Sequence, residues 1–211
     1  IAFLLLAATA TNAATWHKPE APFASALIGV ATPDSSTAFV TGGSNSQGAE
    51  ALSSNDGGKT WNNMEIGKCF MLLDAGANSD QSVVINGLFG AQYSADGKSF
   101  APSSGGGGEG QSVEGFGKNS YGIVGAFGGN GVAVSTDGGA TFTAHSASSA
   151  LDNQHPARYG AYPSDTTWYV SAGAWPCPSR FLRRLTRDGR GSTAPHRQCW
   201  SDGDRASSTA W

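Results

Sequence analysis

The chain has 211 residues, 30 of them glycine, and only 14% are Asp, Glu, Lys or Arg, against about 25% charged in an average domain. So few charges exclude a helical bundle, whose surfaces need Lys, Glu and Arg in quantity, and 39% hydrophobic content excludes a charged disordered chain. Residues 1–157 carry five Lys and twelve acids, net −7, while residues 158–211 carry eight Arg and four acids, net +4; an acidic body lacks the basic stripe that a nucleic-acid partner requires.

The chain opens with IAFLLLAATATNAA over residues 1–14. The apolar run from Ile1 to Ala8 is shorter than the about 20 residues of a membrane span. It matches the apolar core of a secretory signal peptide, followed by small residues for cleavage near Ala13 or Ala14; a buried N-terminal strand is the alternative. No Met and no basic stretch precede it, so the reading is a signal-peptide remnant, which implies export. No later segment is apolar over the roughly 18 residues that mark a transmembrane helix, and no membrane span is expected.

From residue 15 to residue 177 the sequence repeats itself. Ala38-Phe39-Val40, Val83-Val84-Ile85 and Gly122-Ile123-Val124 read as apolar strands. Each is followed by a glycine turn at Gly42-Gly43, Asn86-Gly87 and Gly128-Gly129. Second strands, Glu50-Ala51-Leu52, Ala91-Gln92-Tyr93 and Val132-Ala133-Val134, then run into three related corners. The first holds Ser54, Asp56, Gly58, Thr60 and Trp61; the second holds Ser94, Asp96, Gly97, Ser99 and Phe100; the third holds Ser135, Asp137, Gly139, Thr141 and Phe142. The middle corner is one residue shorter, and the three start 40 and 41 residues apart. A period near 40 with flanking strands predicts one propeller blade per repeat. In each corner the Asp carboxylate accepts backbone N–H groups, the glycine supplies positive φ, and the terminal aromatic ring folds over the turn as the next strand begins. Trp168-Tyr169-Val170 opens a fourth unit, preceded by Pro163-Ser164-Asp165-Thr166-Thr167 as Pro33-Asp34-Ser35-Ser36-Thr37 precedes the first. Its corner is expected near 180–190, where Thr186-Arg187-Asp188-Gly189 is an aromatic-free echo.

After Cys177 the character changes. Seven of the eight Arg lie in residues 178–211, and the strand pattern gives way to an irregular Arg-rich tail. It is either a basic interaction tail or a translated intron or frameshift, and the abrupt switch from Lys to Arg favours the second.

The pattern S-x-D-x-G-x-T-W resembles the Asp box, or BNR repeat, over roughly residues 30–145. The resemblance implies an all-β fold, an incomplete β-propeller of about four Asp-box blades. It also implies relatives among sialidases, sortilin-type receptor ectodomains, xyloglucan-degrading glycosidases and photosystem II assembly factors. In those families the box sits on the outer rim, between the third and fourth strands of a blade, so the box residues here are expected to be structural. Such propellers usually close with more than four blades. An open arc leaves unpaired faces, so this chain continues elsewhere, closes with atypical blades or assembles with a partner.

Sialidase chemistry needs an arginine fork for the substrate carboxylate, yet the F/Y-R-I-P segment is missing and no Arg precedes Arg158. Xyloglucan-type hydrolysis needs paired carboxylates. The acids Asp34, Asp74, Asp80, Asp152 and Asp165 lie outside the corners, but Asp34 and Asp165 read as turn caps and no local signature marks a pair. The glycine run 105–108 reads as a flexible loop, Gly117-Lys118-Asn119 lacks the remainder of a phosphate loop, and His17, His145, His155 and His196 have no metal-ligand spacing. No catalytic, cofactor-binding or metal residue is therefore assigned, and no cofactor is expected. Of Cys69, Cys177 and Cys199, a Cys69–Cys177 disulfide fits an exported protein if the tail is out of frame. The reading is a secreted, non-catalytic module for a glycan or protein ligand. The alternatives are a glycoside hydrolase fragment and an assembly factor in an organelle lumen.

Overall fold

The computed structural model describes residues 26–44, 48–67, 71–78, 81–88, 90–105, 110–125, 131–146, 157–164, 166–173, 179–185 and 191–193. These form four four-stranded antiparallel sheets in chain order. The first holds β1 (Ala26–Ala31), β2 (Ala38–Ser44), β3 (Gly48–Ser54) and β4 (Asn62–Asn63). The second holds β5 (Met71–Ala77), β6 (Val83–Leu88), β7 (Gly90–Ser94) and β8 (Ala101–Pro102). The third holds β9 (Ser112–Phe116), β10 (Ser120–Val124), β11 (Gly131–Ser135) and β12 (Thr143–Ser146). The fourth holds β13 (Ala157–Ser164), β14 (Thr167–Gly173), β15 (Ser179–Leu185) and β16 (Gly191–Thr193). Each sheet is an up-and-down meander whose strand order is its chain order.

The first strands converge: β1 lies against β5, β5 against β9, and β9 against β13. Three apolar layers separate the sheets. Phe39, Ala51 and Met64 pack on Leu72, Ala75, Val83 and Ile85 between sheets one and two. Val84 meets Val113, Tyr121, Ile123 and Phe142 between sheets two and three. Phe116, Val124, Val132 and Val134 meet Tyr162, Trp168 and Val170 between sheets three and four. Within the last layer Phe116 and Tyr162 stack at 5.2 Å between ring centres. Successive sheets that share a hub of first strands and pack face to face define an incomplete β-propeller of four blades.

The strands anticipated from the repeat are the second and third of the first three blades and the second of the fourth. The hub strands β1, β5, β9 and β13 carry weaker patterns, because only some of their side chains, such as Leu72, Val113 and Tyr162, enter the layers between sheets, while others, such as Val30, Asp74 and Glu114, line the axis. Glycine is required where they converge. A Cβ on Gly29 would lie 2.4 Å from the Asp74 Cα, and one on Gly76 would lie 3.1 Å from the Glu114 Cα.

Residues 178–211 were expected to be irregular as sequence, yet the backbone at β15 and β16 is strand, and β15 pairs with β14 from Gly173↔Ser179 to Trp168↔Leu185. Pairing satisfies the N–H and C=O groups along the β14 edge that a two-stranded blade would leave bare. The expected fourth corner at 186–189 falls between β15 and β16 and lies outside the described residues, as do residues 1–14, Gly128-Gly129, Cys69, Cys177 and Cys199.

Candidate functional site

The three serine–aspartate corners occupy one topological position, between the third and fourth strands of the first three blades. Ser54 is fully buried, and its hydroxyl donates to Asp56 Oδ1 at 2.9 Å while accepting the Gly58 N–H at 2.9 Å. Asp56 also accepts the Lys59 and Thr60 N–H groups at 2.9 Å and the Thr60 hydroxyl at 2.6 Å. The third corner repeats this: Ser135 Oγ donates to Asp137 and accepts Gly139 N–H, and Asp137 accepts the Thr141 N–H at 2.9 Å. Gly57 and Gly58, and again Gly138 and Gly139, all have positive φ, which glycine adopts without a Cβ clash. The shorter middle corner has one such residue, Gly97, and its Asp96 accepts N–H groups from Lys98 at 2.9 Å and Ser99 at 3.3 Å.

These bonds favour the charged carboxylates. The Thr60 hydroxyl and N–H hold Asp56 down to about 2. Asp96 is lowered chiefly by the Lys98 N–H. For Asp137, burial pushes upward and is outweighed by the Thr141 hydroxyl and N–H, with a net lowering. The aromatic residues diverge in role. Trp61 folds back so that its indole N–H donates to the Gly58 carbonyl at 3.0 Å, whereas Phe142 enters the layer between blades two and three.

The corners also join blades at the rim. The chain leaving blade one bridges the second corner at Glu65↔Ser99, and the chain leaving blade two bridges the third at Ser104↔Thr141. The Phe142 N–H donates to the Ser104 carbonyl at 2.7 Å and the Ser104 N–H to that of Ala140 at 3.0 Å. Deeper in, Gln92 accepts the Gly67 N–H at 2.7 Å and donates to the Gly67 carbonyl at 3.3 Å.

A different set of residues shapes the hub. A cavity of about 390 Å³ runs across β1, β5, β9 and β13, lined among others by Val30, Asp74, Glu114, Tyr159 and Gly160. An adjoining hollow of about 190 Å³ is lined by Ile28, Leu73, Asp74, Gln111 and Tyr159. No residue of the three corners lines either one. Asp74 accepts its own strand's Ala75 N–H at 2.9 Å through Oδ1 and the Val113 N–H of the next blade at 3.0 Å through Oδ2. Glu114 accepts the Tyr162 N–H of the blade after that. Burial pushes Asp74 up against the pull of those two N–H donors. Burial likewise raises Glu114, opposed by the Tyr162 N–H and reinforced by the Asp74 charge.

Of the acids considered from sequence, Asp34 is a turn cap: its carboxylate accepts the Ser36 and Thr37 N–H groups at 2.7 Å and the Ser36 hydroxyl at 2.8 Å. Those bonds, led by the Ser36 hydroxyl, hold it at about 2. Asp80, Asp152 and Asp165 lie outside the described residues. Asp74 is the one the structure brings to the trough, joined by Glu114, Tyr159, Ile28 and Val30, which sequence reasoning did not single out. The available signal was a residue followed by a hub glycine in three blades: Ile28-Gly29, Glu114-Gly115 and Tyr159-Gly160. Among the described residues no group of three His, Cys, Asp or Glu could hold a metal ion, and no helix is long and apolar enough to cross a membrane.

The class this geometry defines is the β-propeller, and solved structures agree. The GH74 xyloglucanase from Xanthomonas campestris is similar with a TM-score of 0.58 and 16% identity, over 78% of this chain and 30% of that one. YCF48 from Cyanidioschyzon merolae is similar with a TM-score of 0.60 and 16% identity, over 84% of this chain and 58% of that one. A structure of YCF48 bound to D1 peptide gives 0.50 and 11% identity, over 77% and 66%. The chain thus spans a third to two thirds of these neighbours, and the likeness is one of fold. No protein-family profile matches the sequence, and no curated protein does.

Proposed function

We propose that the chain is part of an exported Asp-box β-propeller that binds or scaffolds a ligand at its hub and does not itself catalyse. The three corners are Asp boxes that clasp blades at the rim, and the hub trough is the binding face. The single observation that carries the non-catalytic reading is at Asp74. Both of its carboxylate oxygens accept backbone N–H groups, one from its own strand and one from the next blade. A carboxylate spent on joining blades is poorly placed to move a proton or attack a sugar carbon. A Cys69–Cys177 disulfide belongs to the same reading and to an oxidising compartment.

Glycoside hydrolysis is the second reading. It is favoured by two carboxylates of raised pKa in one cavity and by likeness of fold to a xyloglucanase. An assay of the protein against a glycan panel separates the two: binding without turnover supports the module, and release of reducing sugar overturns it. An organelle-lumen role, which likeness of fold to YCF48 favours, is tested by locating the tagged protein in cells. Recovery in the medium supports export, and retention in an organelle overturns it.

A further inference from the structure

The hub trough has two kinds of wall. Ile28 and Val30 on β1 and Tyr159 on β13 are 52%, 63% and 66% exposed along it, an unusual placement for large apolar side chains. Asp74 and Glu114 are the only charged residues among its described lining residues. Half-buried Asp74 and exposed Glu114 share this hollow with each other and with hydrocarbon, no cation among the described lining residues compensates them, and two like charges in one trough favour a cationic partner.

Resting on the reading of the chain as a binding module, we infer that the trough takes the Lys or Arg side chains of a basic peptide segment. The chemistry matches part by part. The methylene stem of Lys or Arg lies along Ile28 and Val30, as long cationic side chains cover apolar surface while keeping the head group on polar atoms. The head group reaches Asp74 and Glu114, carboxylates with more acceptor sites than the backbone N–H groups already bonded to them. The exposed Tyr159 ring offers its negative face to the same cation. The net charge of −7 over residues 1–157 draws a basic segment in from a distance. A neutral sugar can stack on Tyr159 and donate hydroxyls, but it leaves both carboxylate charges uncompensated.

Fluorescence polarisation with a fluorescein-labelled heptapeptide of alternating Lys and Leu tests this, beside its Glu-for-Lys counterpart. The full chain is compared with the Asp74→Asn/Glu114→Gln pair, with Val30→Lys and with Glu65→Gln. Asn and Gln keep an acceptor for the Val113 and Tyr162 N–H groups. Val30 is exposed enough that Val30→Lys leaves the interior intact, so it decides the matter if the double variant does not fold. Glu65→Gln removes an exposed charge outside the trough. The expected result is binding of the Lys peptide alone, weakened about tenfold or more by the double variant and by Val30→Lys and less than about twofold by Glu65→Gln. Equal weakening by all variants reduces the effect to net charge and overturns the inference. So does a chain that ignores the peptide yet binds neutral glycans, an outcome that leaves the module reading standing. Sugar turnover, or silence towards every peptide and glycan, overturns the module reading itself.

Discussion

The Asp74 carboxylate of the second blade accepts the Val113 N–H of the third at 3.0 Å. Glu114 of the third accepts the Tyr162 N–H of the fourth in the same manner. The hub is therefore a relay in which an acid on one first strand holds the backbone of the next, while the corners clasp the same blades at the rim. Removing the acceptor and removing the charge are distinct operations on such a relay. Asp74→Ala leaves the Val113 N–H unpaired at the seam and is expected to cost about 1–3 kcal/mol in urea denaturation. Asp74→Asn keeps one acceptor oxygen, for the Val113 N–H, and removes a charge that burial disfavours, but turns its NH2 towards the Ala75 N–H, so at neutral pH it is expected to cost less than Asp74→Ala. Equal losses for both variants would contradict this account.

The pH dependence has opposite signs at rim and hub. Asp56 is held at about 2 against an unfolded value of 3.8. Its contribution is thus present above about 3.8 and is lost as pH falls towards 2. Asp74 and Glu114 are raised, so their contribution is present in acid and is lost as pH rises through their folded values. Asp56→Asn should make the acid-side slope of the urea midpoint shallower, with Asp34, Asp96 and Asp137 supplying the remainder. Asp74→Asn should gain on the wild type as pH rises from the acid side to neutrality. A wild-type slope in Asp56→Asn below pH 4 would contradict the rim assignment.

Ser54 both donates and accepts within its corner and is fully buried. Ser54→Ala strands the Gly58 N–H and removes one of the donors to Asp56 Oδ1, and about 1–3 kcal/mol of destabilisation is expected. Hydrogen exchange should show faster opening at Gly58 than in the wild type. Unchanged protection there would mean that the hydroxyl does not close the turn.

Gln81 is the one non-glycine residue with positive φ among the described residues, at 67°, in the turn that joins β5 to β6. Its N–H donates to the Asn78 carbonyl at 3.0 Å, so the turn holds the strained backbone in place. A side chain there costs about 1–2 kcal/mol, partly offset in glycine by greater unfolded-state entropy. Gln81→Gly is therefore expected to stabilise the chain by about 0.5–1 kcal/mol in thermal or urea unfolding. A loss of stability would contradict the strain assignment.

Between blades three and four, Tyr162 and Trp168 are 3% and 1% exposed, and neither the Tyr162 hydroxyl nor the Trp168 indole N–H has a hydrogen-bond partner among the described residues. Burial, and secondarily the Glu114 charge, pushes the Tyr162 hydroxyl well above its ordinary pKa. Tyr162→Phe removes an unpaired buried polar group and should be neutral or stabilising by up to about 1 kcal/mol. Trp168→Ala should cost about 3–5 kcal/mol, because it empties the layer those blades share. Comparable losses for the two would show that the Tyr162 hydroxyl is engaged after all.

The rim was legible in the sequence because its chemistry is local. Ser54, Asp56, Gly58 and Thr60 bond to one another within a few residues, so their types and spacing repeat visibly. The hub was not legible, because its bonds join Asp74 to Val113 and Glu114 to Tyr162, pairs that no short window contains. Asp74 could be noted as an acid outside the corners, but its neighbour Glu114 came into view only once the first strands were placed side by side. Phe142 shows a smaller gap. Its corner matches that of Trp61, yet lacking an indole N–H to bond the turn, the ring goes into the layer between blades.

The account rests on rotational order: four sheets around one hub, with first strands adjacent in the sequence β1, β5, β9, β13. A crystal structure of the protein measures this directly. The expected result has those strands side by side about a common axis, with Asp74 and Glu114 facing one trough and the three corners at the periphery. Sheets stacked as a flat sandwich, or corners turned towards the axis, would contradict it.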